Sequence, residues 1–123
     1  MDIVFYDSGG KPVAYTEDNE TIYLYSGEAV AYLDQSSVYS FSGKHLGRFE
    51  AGWLIDNHGY CVFFTDDAHG DPAHPPKKAI PKKELKHIKP RKEMQARKTV
   101  LPTKSRRWSK ISGRGFFELQ ASR

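Results

Sequence analysis

Each shortage in this chain closes off a class of explanation. Cys61 is the single cysteine among 123 residues, so no intramolecular disulfide can staple the fold and no zinc site built mainly of thiolates is available. Its neighbours Tyr60 and Val62 place it in a strand, where a thiol lacking an electropositive, accessible setting is buried and inert. No apolar run approaches the roughly 18 residues of a membrane span, and Met1-Asp2-Ile3-Val4 lacks the cationic-then-apolar pattern of a leader. A soluble, cytoplasmic protein is expected. Apolar residues are also sparse, at 38% with a mean hydropathy of −0.66, so a compact part should coexist with a solvated one.

Charge of one sign is scarce in each half. Residues 1–70 hold three bases against eleven acids, a net −8, while residues 71–123 hold four acids against sixteen bases, a net +12; together they make the whole-chain +4. The modest overall charge conceals two oppositely charged parts. This division and the length predict one domain with an appendage: a β domain over 1–67 and a basic Pro/Lys-rich C-terminal extension over 68–123.

What the first part does have is repetition. Runs around Gly10, Gly27, Gly43 and Gly59 follow one pattern at steps of 17, 16 and 16 residues: an aromatic-rich stretch, a turn on Gly, a second apolar stretch. Tyr, Phe, Val and Ile favour a pleated surface, and Gly supplies the positive φ of tight hairpin turns. Four hairpins, about eight short strands, are therefore predicted. Five residues before each Gly stand Phe5, Ile22, Val38 and Leu54; three after stand Val13, Val30, Leu46 and Val62; four before stand Tyr6, Tyr23, Tyr39 and Ile55. Strand side chains alternate faces, so the fifth and fourth positions before the Gly must point oppositely, one into the core and the other against a neighbouring unit or a surface. Four after each Gly come Ala14, Ala31, Gly47 and then Phe63; recurring small residues imply close approach near an axis, with Phe63 closing or capping the ring. Such units are too short for propeller blades, so the fold class is all-β, four sequential hairpins in a pseudo-four-fold closed rosette. A core of this size is marginal alone, leaving ring closure, oligomerisation or docking of the extension to complete it.

In the extension, Pro72, Pro75, Pro76, Pro81, Pro90 and Pro102 leave no room for a long helix. Lys recurs at 83, 86, 89 and 92, with Leu85, Ile88 and Met94 in a third column. Period three is that of polyproline II; an extended path, short helical pieces and a disordered segment all remain compatible with it. Trp108 and the stretch through Phe116, Phe117, Glu118 and Leu119 are too apolar for a purely solvated end, so Trp108, Phe116 and Phe117 are the candidate tail-docking residues. The candidate anion-binding residues are Lys83, Lys86, Lys89, Arg91, Lys92, Arg106 and Arg107.

The four hairpins, with Gly52-Trp53, Asp56-Asn57-His58-Gly59 and Cys61-Val62-Phe63-Phe64-Thr65, resemble the bacterial four-fold β-flower domain proteins. That resemblance is close through residue 70. It implies a pseudo-four-fold arrangement of hairpins followed by a basic tail in Leu/Val, Lys/Arg, Pro triplets ending in a Trp-Ser segment like Trp108-Ser109; it carries no activity and no catalytic positions.

Asp66, Asp67, His69 and His74 offer metal-ligand types, but their spacing matches no defined loop, and Asp-rich loops after a strand are ordinary turn chemistry. His58 reads as a turn residue. No nucleophile elbow, phosphate-cradling loop or paired-carboxylate motif has a supporting context, so no cofactor, metal or catalytic residue is assigned. The reading is a non-enzymatic binding or scaffold module whose basic tail docks at least partly on the acidic β domain. The alternative is binding of nucleic acid, or another anionic macromolecule or surface, through that tail.

Overall fold

A computed structural model describes residues 2–98 and 102–117; Glu118 and Leu119 of the C-terminal apolar stretch lie outside the described residues. Among them eight strands run in order: β1 (Ile3–Tyr6), β2 (Pro12–Thr16), β3 (Thr21–Leu24), β4 (Ala29–Asp34), β5 (Ser37–Tyr39), β6 (His45–Glu50), β7 (Trp53–Asp56) and β8 (Cys61–Phe64). Each pairs antiparallel with the next, and β1 closes on β8 through Tyr6 and Phe64. The fold is thus the all-β closed rosette of four hairpins. No helix among the described residues is long and apolar enough to cross a membrane.

Each hairpin turns by one device. Gly10, Gly27, Gly43 and Gly59 donate to the carbonyls of Asp7, Leu24, Ser40 and Asp56, and have φ of 83°, 98°, 93° and 90°. This is a three-residue loop whose last residue takes the left-handed conformation, so glycine is required there. Asp7 and Asp56 add a side-chain brace, each Oδ1 accepting from the backbone N–H groups two and four residues on.

Just inside each turn the ladder slips by one residue, between Phe5/Tyr6, Ile22/Tyr23, Val38/Tyr39 and Leu54/Ile55. The slip leaves Val13, Val30, Leu46 and Val62 as extra residues. A bulge suspends strict alternation, so these residues join the interior beside their neighbours Ala14, Ala31 and Phe63. The partners Phe5, Ile22, Val38 and Leu54 sit opposite Ala14, Ala31, Gly47 and Phe63 and face the same interior. At Gly47 a Cβ would lie 2.1 Å from the Ile55 carbonyl oxygen, which is the close approach the small column requires. Phe63, with no room-sparing neighbour to match, fills the barrel. Phe116 and Phe117 belong to this same interior cluster and lie against Phe63.

The other column, Tyr6, Tyr23, Tyr39 and Ile55, faces outward, yet each residue is at least 92% buried. What covers the outer wall is residues 72–98 and 102–109.

Candidate nucleic-acid or strap interface: the outer wall of the barrel

Two further columns of the repeat face outward beside the tyrosines. Five after each turn Gly stand Tyr15, Tyr32, Arg48 and Phe64, and seven after stand Glu17, Asp34, Glu50 and Asp66. Each hairpin therefore carries a planar group with a carboxylate at its rim, and three of the four planar groups are aromatic rings. A ring face is electronegative and the rim is anionic, so both attract a cation, most strongly one whose stem lies on the apolar ring.

The extension crosses these sites in a fixed register. Backbone N–H groups of Lys78, His87, Ala96 and Ser105 donate to the carbonyls of Gly10, Gly27, Gly43 and Gly59 at 2.7–2.9 Å. Nine residues of strap thus match 16 or 17 residues of barrel. Glu84 and Glu93, also nine apart, donate to Tyr25 and Phe41; the corresponding positions 75 and 102 are prolines, which have no N–H to give. Nine residues are three turns of polyproline II, about 28 Å of path, so the same side of the strap meets every hairpin.

Side chains follow that register. Lys83 Nζ lies 4.5 Å over the Tyr15 ring and Lys92 Nζ 4.5 Å over Tyr32, while His74 stacks on Phe64 at 4.6 Å. A second series, three residues on, places Lys77 over Tyr6 at 5.7 Å, Lys86 over Tyr23 at 5.3 Å and Lys104 over Trp53 at 4.8 Å. Gln95 takes the remaining place, donating to Asp34 at 2.9 Å and to the Tyr32 hydroxyl at 3.1 Å. The rim acids Asp66 and Glu17 close their sites, Asp66 pairing with Lys77 at 2.5 Å and Glu17 with Lys83 at 2.8 Å and Lys86 at 2.6 Å; outside that column Glu20 pairs with Lys92 at 2.5 Å, and Lys83 also pairs with Asp2. In the third hairpin Arg48 replaces the ring and donates to Glu50 at 2.8 Å and to the Pro102 carbonyl at 2.9 Å.

Of the candidate anion-binding residues, Lys83, Lys86 and Lys92 therefore face the barrel. Lys89, Arg91, Arg106 and Arg107 are exposed and carry no ion pair among the described residues. Leu85, Ile88 and Met94 also point outward, at 91%, 96% and 92% exposure. Of the candidate docking residues, Trp108 meets Trp53 at 5.7 Å and Phe64 at 6.0 Å, and Phe116 and Phe117 are buried. Around Trp108 the chain forms a parallel bridge to Cys61, whose N–H donates to Arg107 and whose carbonyl accepts from Ser109. Burial pushes the Cys61 thiol up. Asp66, Asp67, His69 and His74 do not converge: Asp66 holds Lys77, His74 stacks on Phe64 and the His69 carbonyl accepts from the Trp53 indole. No group of three or more His, Cys, Asp or Glu among the described residues could hold a metal.

Hydrogen bonds from Lys83 and then Lys86 hold the Glu17 carboxyl below the usual carboxylate range. Donating to Asp2 and Glu17 raises Lys83, and donating to Glu17 raises Lys86. A depressed acid stabilises the fold above its ordinary value and loses that contribution as pH falls through the folded value; a raised lysine does the reverse in alkali. Because Glu17 is over one third exposed, the effect is discounted to about 1 kcal/mol. Lowering pH from neutrality through the carboxylate range is expected to depress the melting temperature, with a component absent from Glu17→Gln; parallel wild-type and variant curves would show that this acid contributes nothing.

A family model described as "4-fold beta flower protein" matches residues 3–117, spanning both barrel and strap. No curated protein and no solved structure matches the chain. With four bulged hairpins closed into one barrel and a match across nearly its full length, the chain belongs to the 4-fold beta flower family.

Proposed function

We propose that this protein is a non-enzymatic binding or scaffold module. Residues 1–67 form an acidic, aromatic-walled receptor, and the basic extension over 68–123 supplies the strap, its described residues 72–98 and 102–109, that occupies it. The observation that carries this reading is the register: the strap meets the four turn glycines at nine-residue intervals, so every hairpin receives the same backbone N–H donor. A chance collapse of +12 onto −8 would give charge contact without such periodicity. The occupied wall is a receptor for an extended Lys-rich peptide, filled in cis, and the module's outward face is presented by the strap. Ending the chain at Gly70 is expected to lower the melting temperature, with part of the loss vanishing at high salt because Debye screening weakens the exposed pairs. An unchanged transition at low salt would overturn the proposal.

A second reading is favoured by the outward side of the strap. Lys89, Arg91 and the exposed Leu85, Ile88 and Met94 form a cationic, apolar edge, which fits nucleic acid or another anionic surface. In that case the full chain, and not the chain ending at Gly70, binds the polyanion with an affinity that falls steeply with salt.

A further inference from the structure

Four-fold repetition ends at the last hairpin, and beyond the bond from Ser109 to Cys61 a cleft opens. It has a volume of about 500 Å³, within the range of small-molecule sites. Tyr60, Trp108 and Ile111 give it apolar walls, and Arg107, Lys110 and His58 stand around it. Tyr60 is 38% exposed, a large ring left uncovered. Neither Arg107 nor Lys110 has an ion-pair partner among the described residues. The one acid at the cleft, Asp56, is buried, and its Oδ1 accepts from the His58 and Tyr60 N–H groups at 2.9 Å. The cleft therefore offers aromatic faces and two exposed cations against a single buried, hydrogen-bonded carboxylate.

We infer that this cleft is a binding site for a small aromatic anion of the mononucleotide type, a planar ring carrying a phosphate. The ring stacks on Tyr60 and Trp108, since stacking accepts any base. The phosphate takes charge-assisted hydrogen bonds from Arg107 and Lys110, with Arg107 able to engage two oxygens at once. The inference rests on the proposed strap, because residues 107–111 must be seated for the cleft to exist.

Full-length protein titrated with 5′-AMP should give a saturable change in tryptophan emission, with amide resonances of residues 58–60 and 107–111 shifting. Adenosine and inorganic phosphate should each bind at least about tenfold more weakly, because each lacks half of the recognition. Arg107→Gln combined with Lys110→Gln should weaken 5′-AMP by about tenfold or more while leaving the melting temperature unchanged. No saturable response at millimolar 5′-AMP, or equal binding by the double variant or by adenosine, overturns the site. Trypsin separates this failure from that of the strap. Rapid cleavage at Arg106 and Arg107 in the free protein removes the seated tail and the cleft with it, whereas a resistant chain that ignores 5′-AMP removes the cleft alone.

Discussion

Gly27→Ala is expected to destabilise the protein by roughly 3 kcal/mol, although the change adds only one methyl group at a turn. Two costs combine. The first is the backbone: Gly27 has a φ of 98°, and an L side chain in that region costs about 1–2 kcal/mol. The second is the strap, since the new Cβ would lie 2.0 Å from the Leu85 carbonyl oxygen, a backbone atom with no flexible end to swing away. Relief requires the strap to lift, and lifting breaks the bonds from His87 to Gly27 and from Glu84 to Tyr25, each worth about 1 kcal/mol. Gly43→Ala should behave alike, because its Cβ would lie 2.0 Å from the Met94 oxygen. Gly70→Ala is the control: its φ is 82° but nothing lies within 4 Å, so only the first cost applies. Thermal melts of the three variants decide the matter. If Gly27→Ala costs no more than Gly70→Ala, the strap does not cross that turn in solution. In a chain ending at Gly70 the penalty at Gly27 should shrink to its backbone part.

The hairpin count, the turn glycines and the two faces were legible because each is written four times in the barrel, and repetition raises a weak local signal above the noise of single positions. Strict alternation would have kept Val13 and Ala14 on opposite faces. The bulge that lets both approach the interior depends on a ladder slip which no single residue announces. The strap was legible only as a period of three. Lys83, Lys86 and Lys92 of that period face inward, with Leu85, Ile88 and Met94 left in water, against the usual preference of apolar side chains. That inversion follows from the outer wall, since tyrosine faces rimmed by carboxylates attract ammonium groups more than aliphatic ones. The wall's columns were nonetheless written in the repeat, in the planar column Tyr15, Tyr32, Arg48, Phe64 and the acid column Glu17, Asp34, Glu50, Asp66. Only comparing two unequal periods, nine against 16 or 17, would have joined them. The cleft beside Tyr60 was not legible, because it arises where the repeat stops.

Phe63→Ala should be the most damaging core substitution, at about 3–5 kcal/mol. Its column otherwise holds Ala14, Ala31 and Gly47, so this column contributes one ring to an interior already shared with Phe5, Phe116 and Phe117. The ring reaches Phe5 at 6.2 Å, Phe116 at 6.0 Å and Phe117 at 5.5 Å, the last nearly parallel at 17°. Removal leaves a void that the barrel cannot close by collapsing, because every strand is held by hydrogen-bonded neighbours on both sides. The loss is a large share of the 5–15 kcal/mol on which a domain of this kind depends, so the variant should melt tens of degrees lower or fail to fold. Phe63→Leu keeps most of the volume and provides a folded reference. A double-mutant cycle between Phe63→Leu and Phe117→Ala then reads the contact between barrel and C-terminal segment, with a coupling of about 0.5–1.5 kcal/mol for a direct aromatic pair. Additive losses would place Phe117 away from Phe63 in solution. The interior would then be completed by the hairpins alone, and the strap would be anchored only by its register along the outer wall.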